Sequence, residues 1–200
     1  PTLAILERDP VSRGAAMMAD FRRFDPATFA EYKDKFPNII EIPEIGVAGA
    51  QSFSSEHAID VKPDVAIFGL GSGHGPGARN KEILAQLEAA GIPVLVIDFR
   101  RDPLVNTPKS MRLLGKIFGR EKEAEEFLAF YEKHLNLVEE RLKSVTSKPR
   151  VFMELRVGLS DQCCQTTGRQ MLGRFIEWAG GENIVADKIP GTHAMVNAEY

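Results

Sequence analysis

The stretch NTPKSMRLLGKIFGREKEAEEFLAFYEKHLNLVEERLKSV, Asn106 to Val145, decides the reading of the fold. Thr107 can cap a helix, and Pro108 suits its first position, where a missing N–H costs nothing. Met111, Leu114, Ile117 and Phe118 then share one face, and Gly119 supplies a stop or bend. Glu121, Glu123 and Glu125 favour the start of a second helix through its dipole. From there Ala124, Leu128, Tyr131, Leu135, Val138, Leu142 and Val145 recur at alternating steps of four and three. That spacing makes one apolar seam along a helix roughly 35 Å long. Its other faces carry Glu, Lys and Arg. A coiled-coil strand has the same seam, but here it is sustained for only about three heptads. The pattern predicts a rigid strut that packs across two lobes, one before it and one after it.

Working back from the strut, two apolar runs flank an amphipathic helix. Val65 to Phe68 reads as a buried strand and leads into Gly69-Leu70-Gly71-Ser72-Gly73-His74-Gly75-Pro76-Gly77. Asn80 to Ala90 carries Ile83, Leu84 and Leu87 on one face and is closed by Gly91. Ile92 to Phe99 is the next strand. Continuous apolar strands imply a parallel sheet covered on both faces, so Val65–Phe99 is one right-handed βαβ unit. Further back, Ala15–Ala19 reads as a strand and Asp25-Pro26 opens a helix ending near Phe36-Pro37. Ile39–Ile42 reads as extended, and Ser54 or Ser55 caps a short helix over Glu56 to Val61. Beyond the strut, Val151–Leu155 reads as a strand, Arg156–Thr167 as a polar loop, and Gly168–Ala179 as a helix stopped by Gly180-Gly181.

Bulk properties exclude several classes. The chain has 200 residues, 44% hydrophobic and 26% charged, with net charge −3. That balance is ordinary for a globular protein and shows no basic stripe for nucleic acid. No apolar run approaches the ~20 residues of a membrane span. The chain opens on Pro1 without a signal peptide or an initiating Met, which reads as a sequence trimmed at its front. Its two cysteines, Cys163 and Cys164, are adjacent. Neighbouring cysteines rarely bridge, so a disulfide framework is not expected.

Few residues suggest chemistry. The glycines at 69–77 would let backbone N–H groups approach a ligand, but neither G-x-G-x-x-G nor a Walker lysine is in register, since position 74 is His and Lys81 lies too far on. Open α/β sheets bind ligands at this edge, which makes Ser72 and His74 candidates; a plain turn is the alternative. His74 could ligate a metal, yet His57, His134 and His193 are scattered. Arg156, alternating with Glu154 at a strand end, would suit a carboxylate or catecholate, or form a plain salt bridge. Vicinal Cys163-Cys164 could bind soft metals, act as a redox switch, or lie idle. Ser72 is not in a G-x-S-x-G elbow, and no carboxylates are paired for acid/base work. Nothing argues for an enzyme, a resident cofactor or a metal centre.

The order of these pieces resembles a family. Ser55-Glu56-His57-Ala58-Ile59-Asp60-Val61-Lys62-Pro63-Asp64-Val65-Ala66-Ile67 is similar to the E…K-P-D-(apolar) segment of substrate-binding proteins serving iron-siderophore, haem and cobalamin ABC importers. The similarity continues in Leu87–Val94, in Leu113–Glu121 and in Ala179-Gly180-Gly181-Glu182-Asn183-Ile184, covering roughly Ile45 to Tyr200. The resemblance implies an α/β fold of two Rossmann-like lobes joined by one long helix, with ligand in the cleft between them. On that reading 1–105 is the N-terminal lobe, 106–147 the connecting helix, and 148–200 part of an incomplete C-terminal lobe. It implies that Glu56 and Glu199, one per lobe, dock arginines of an ABC permease. By position, Ser72 and His74 would face the cleft from the first lobe, and Arg156, Cys163 and Thr166 from the second. The expected cargo is a small-molecule metal chelate or a corrinoid, and the expected place periplasmic or at the cell surface. Two other classes compete: a nitrogenase-like metallocofactor enzyme subunit using Cys163 or Cys164 as a cluster ligand, and a helical scaffold associating through Leu128 and Leu135.

Overall fold

The computed structural model describes residues 2–47, 52–70, 80–155 and 164–197. It divides into two compact units, Pro1–Ile97 and Asp98–Tyr200.

The first unit contains α1 (Leu3–Leu6), α2 (Asp20–Phe24), α3 (Pro26–Lys35), a 3-10 turn (Pro37–Glu41), α4 (Ser55–Asp60), β1 (Ala66–Gly69), α5 (Asn80–Ala89) and β2 (Val94–Ile97). β1 and β2 pair in parallel, from Ala66 opposite Val94 to Gly69 opposite Ile97. The βαβ unit is therefore as its apolar periodicity predicts. Leu87 of α5 is fully buried and packs with Ala58 of α4, Ile92 and the strand residues Phe68 and Val94. A second cluster joins Val11, Phe29 and Ile39, where Phe21 meets Phe29 and Tyr32 edge-on. Asp25 caps α3 by accepting from the Thr28 N–H at 3.2 Å, and Pro26 occupies the first helical position.

Three local expectations are corrected here. Ile39–Ile42 is not an extended run: Pro37 starts a 3-10 turn, with Ile39 buried and Ile40 61% exposed. Of Ala15–Ala19, Met17 alone pairs, in a single parallel bridge to Glu44. The βαβ sheet is not covered on both faces among the described residues, since Val96 is 38% exposed.

The second unit contains α6 (Pro103–Phe118), α7 (Glu121–Leu142), β3 (Arg150–Val151), β4 (Gln165–Thr167), α8 (Leu172–Trp178), β5 (Glu182–Asn183) and β6 (His193–Met195). β3 pairs with β5 in parallel and β4 with β6 antiparallel. Gly119 adopts the left-handed conformation, φ 63° and ψ 41°, and terminates α6. The Arg120 N–H closes that turn on the Gly115 carbonyl at 2.7 Å. α7 then folds back along α6: Arg112 bonds Glu125 at 2.8 Å, and the Tyr131 hydroxyl donates to the Pro103 carbonyl at 3.3 Å. The first part of the predicted seam, Ala124 and Leu128, is buried, while Val145 is exposed. At the far end of α7, the Trp178 indole N–H donates to Glu139 at 3.1 Å.

α6 begins before the predicted cap. Pro103 holds its first turn, Pro108 lies inside the helix, and Thr107 is not the cap. The cause is Asp98, which is 6% exposed and ties the segment to itself. One carboxylate oxygen accepts the Arg100 and Arg101 N–H groups at 2.8 and 2.9 Å, and the other accepts the Asn106 amide at 2.7 Å. The Ser110 hydroxyl donates to the Asp98 carbonyl at 3.1 Å and accepts its N–H at 2.9 Å. The predicted strand Val151–Leu155 shortens to Arg150–Val151, because its partner β5 is equally short. The predicted helix Gly168–Ala179 starts at Leu172, because 168–171 is spent on a side-chain-bonded turn in which Met171 takes φ 53°.

Candidate functional site

Glu56 sits in the first turn of α4 and is exposed. Ser54 is the cap: its hydroxyl accepts from the His57 N–H at 3.2 Å. The Ser55 hydroxyl donates to the Gln86 side-chain amide oxygen and so ties α4 to α5. Ala58, two residues on, is buried beside Leu87. Glu56 is thus presented by a helix fixed on both sides, at the helix end that favours a carboxylate.

Thr166 is placed otherwise than its ligand-facing assignment requires. It has no exposed surface, and its hydroxyl donates to the Met153 carbonyl at 2.9 Å. It builds the strand rather than offering a surface to a solute. Ser72, His74, Arg156, Cys163 and Glu199 lie outside the described residues. Cys164 is disulfide-bonded and buried, so its sulfur is neither an idle thiol nor a metal ligand. The chain's other cysteine, Cys163, lies outside the described residues. Among the described residues no three His, Cys, Asp or Glu side chains group to hold a metal ion.

Two polar constellations escape a reading by spacing. One is the Asp98 anchor. Burial pushes its carboxyl pKa up, but the Arg101, Arg100 and Asp102 backbone N–H groups and the Asn106 amide outweigh that and hold it below the ordinary value. The other joins Thr167 and Asn183, both buried. The Asn183 amide donates to the Thr167 and Gly168 carbonyls, each at 3.0 Å. In the first unit, a cavity of about 290 Å³ is lined by Met17, Phe29, Ile39, Ile42 and the ion-paired Arg22 and Glu44. It lies at the small end of ligand pockets.

The family model described as periplasmic binding protein matches residues 26–200. The chain belongs to the periplasmic binding protein family. An uncharacterized ABC transporter substrate-binding lipoprotein, YvrC of Bacillus subtilis (strain 168), is 23% identical over 158 residues, 78% of this chain and 47% of that protein. The TroA-like periplasmic binding protein FepB from Veillonella parvula superposes with a TM-score of 0.81 at 23% identity, covering 99% of this chain and 56% of that one. A periplasmic haem-binding protein from Pseudomonas aeruginosa superposes at TM-score 0.59 and 20% identity, covering 85% and 57%. The chain therefore spans about half the length of the proteins it matches. At these identities the structural likeness establishes the fold: this periplasmic binding protein has the family's two α/β lobes. No helix among the described residues is long and apolar enough to cross a membrane.

Proposed function

We propose that this periplasmic binding protein captures an extracytoplasmic solute and delivers it to an ABC permease. The match of the family model across residues 26–200 carries the reading. The cargo we assign is an iron chelate, haem or a corrinoid; a haem-binding protein shares the fold. Delivery needs no covalent chemistry from the chain. Glu56, exposed at the start of a fixed helix, is one of two docking carboxylates, and Glu199 is the other. Charge pairs at such a rim steer and orient encounter more than they add affinity. Ser72, His74 and Arg156 are the proposed cargo contacts.

The test separates docking from capture. Glu56→Lys, in cells that depend on this protein for iron-chelate or haem supply, should abolish uptake, while cargo affinity stays within about twofold of wild type, as expected for an exposed position. Unchanged uptake removes Glu56 from docking. Lost affinity places Glu56 in the cargo site.

A further inference from the structure

β4 is three residues long, so its ladder with β6 gives it little hold. The Leu155 N–H adds a backbone bond to the Gln165 carbonyl at 2.7 Å, and side chains hold the Thr167 end. Both Asn183 amide protons are engaged, on the Thr167 and Gly168 carbonyls at 3.0 Å, and its oxygen accepts from the Val185 N–H at 3.3 Å. The Thr167 hydroxyl lies 3.0 Å from both the Gln170 and Thr192 carbonyls and accepts from the Gly173 N–H at 3.3 Å. Thr166 ties the same strand to Met153. The packing leaves no room for drift: a Cβ on Gly173 would stand 1.7 Å from the Gly168 oxygen, and one on Gly168 2.5 Å from the Ile189 oxygen. Asn183 is 6% exposed. Two donors and one acceptor in one short fork are a set that Asp, Ser or Leu cannot supply, and Gln is a methylene too long.

We propose that Asn183 is the positioning residue for β4, and through β4 for the cargo contact assigned above to Arg156; this second step rests on the function proposed above. β4 follows in sequence directly after the segment carrying Arg156 and Cys163. Asn183 touches no cargo. It acts through Thr167 and Gly168, whose carbonyls it holds.

Asn183→Asp tests this because it keeps the volume and removes both donors. The new carboxylate faces two carbonyl oxygens in a buried site, so its folded-state pKa rises above the unfolded value near ~3.9. A raised acid pKa means the folded chain holds the proton longer, so stability lost at pH 8 returns as the pH falls through the folded value. The neutral acid can donate once. In the full chain, urea midpoints followed through Trp178 should show a gap to wild type that narrows from pH 8 to pH 5. Amide exchange across 165–167 and at Gly173 should quicken about tenfold or more relative to wild type at pH 8, the loss of a buried hydrogen bond, while the Val185 amide, whose acceptor oxygen Asp retains, serves as the internal reference. The quickening should relax at pH 5. A gap that is the same at both pH values, or exchange that stays at the wild-type rate, overturns the proposal. So does an Asn183→Asp chain unfolded at every pH while Asn183→Ala folds. With hemin as probe, Asn183→Asp should bind about tenfold more weakly at pH 8 and recover with acid; an unchanged Kd beside a pH-dependent stability gap confines Asn183 to stability and overturns the positioning role. If wild type takes up no hemin, the haem reading fails, and exchange across 165–167 alone decides whether Asn183 positions β4.

Discussion

Replacing Asp98 by alanine should destabilise the second unit by about 3 kcal/mol. The carboxylate accepts the Arg100 and Arg101 N–H groups at 2.8 and 2.9 Å and the Asn106 amide at 2.7 Å, with a weaker 3.4 Å contact to the Asp102 N–H. Hydrogen bonds to a charged acceptor contribute about 1.5–3 kcal/mol each, but they share one carboxylate and do not add. Water reaches the exposed Arg100–Arg101 side once the carboxylate is gone, which offsets part of the loss. Asp98→Asn keeps the shape and one acceptor, sets two amide groups against each other at Asn106, and should cost about 1–2 kcal/mol. The depressed pKa fixes the pH dependence. The folded carboxyl releases its proton more readily than the unfolded one, so its stabilisation is complete above the unfolded value near ~3.9 and disappears as the pH falls through the folded value. The difference between wild type and Asp98→Ala should be constant from pH 5 to 8 and shrink below about pH 4. Urea denaturation followed by Trp178 fluorescence reads it directly, because the chain's one tryptophan lies in α8 of the same unit. An Asp98→Ala variant within about 0.5 kcal/mol of wild type at pH 7 would refute the anchor.

Other substitutions test separate parts of the account. Gly115→Leu should cost about 2 kcal/mol by overpacking, since even a Cβ there meets the Ala124 Cβ at 2.8 Å and the Arg120 carbonyl at 3.2 Å; urea unfolding measures it. Met171→Gly should raise stability by about 1 kcal/mol, because φ 53° with ψ −128° strains a side chain and suits glycine. A lower midpoint would mean the Met171 side chain contributes more by packing than its backbone loses by strain. Ser54→Ala should cost about 1 kcal/mol and speed exchange at the His57 amide that it caps.

What the sequence makes legible is local. The βαβ unit follows from two apolar runs around an amphipathic helix, the Asp25-Pro26 start from a cap and a fixed φ, and the Gly119 turn from the one residue type that takes φ 63° freely. Glu56 is placed correctly at a helix start because Ser54 announces the cap. The start of α6 is misplaced because Asp98, outside the periodic run, reorganises the chain up to Ser110. Asp98 did leave a signal, as the acid directly following four apolar strand residues and opening Asp-Phe-Arg-Arg-Asp-Pro. Thr166 is misjudged because its polar surroundings read as a loop, whereas Gln165–Thr167 is a short strand that buries it. Asn183 leaves no spacing signal, because the carbonyls it holds lie 15 and 16 residues away.

The central claim is solute capture, and the most direct measurement is a titration of ferric siderophores, haem and cobalamin into the protein, followed by Trp178 quenching. The account predicts saturable quenching by one of these classes at micromolar concentration or below, roughly −8 kcal/mol of binding free energy. No saturable response to any class, from protein shown to be folded by its cooperative urea transition, would contradict it.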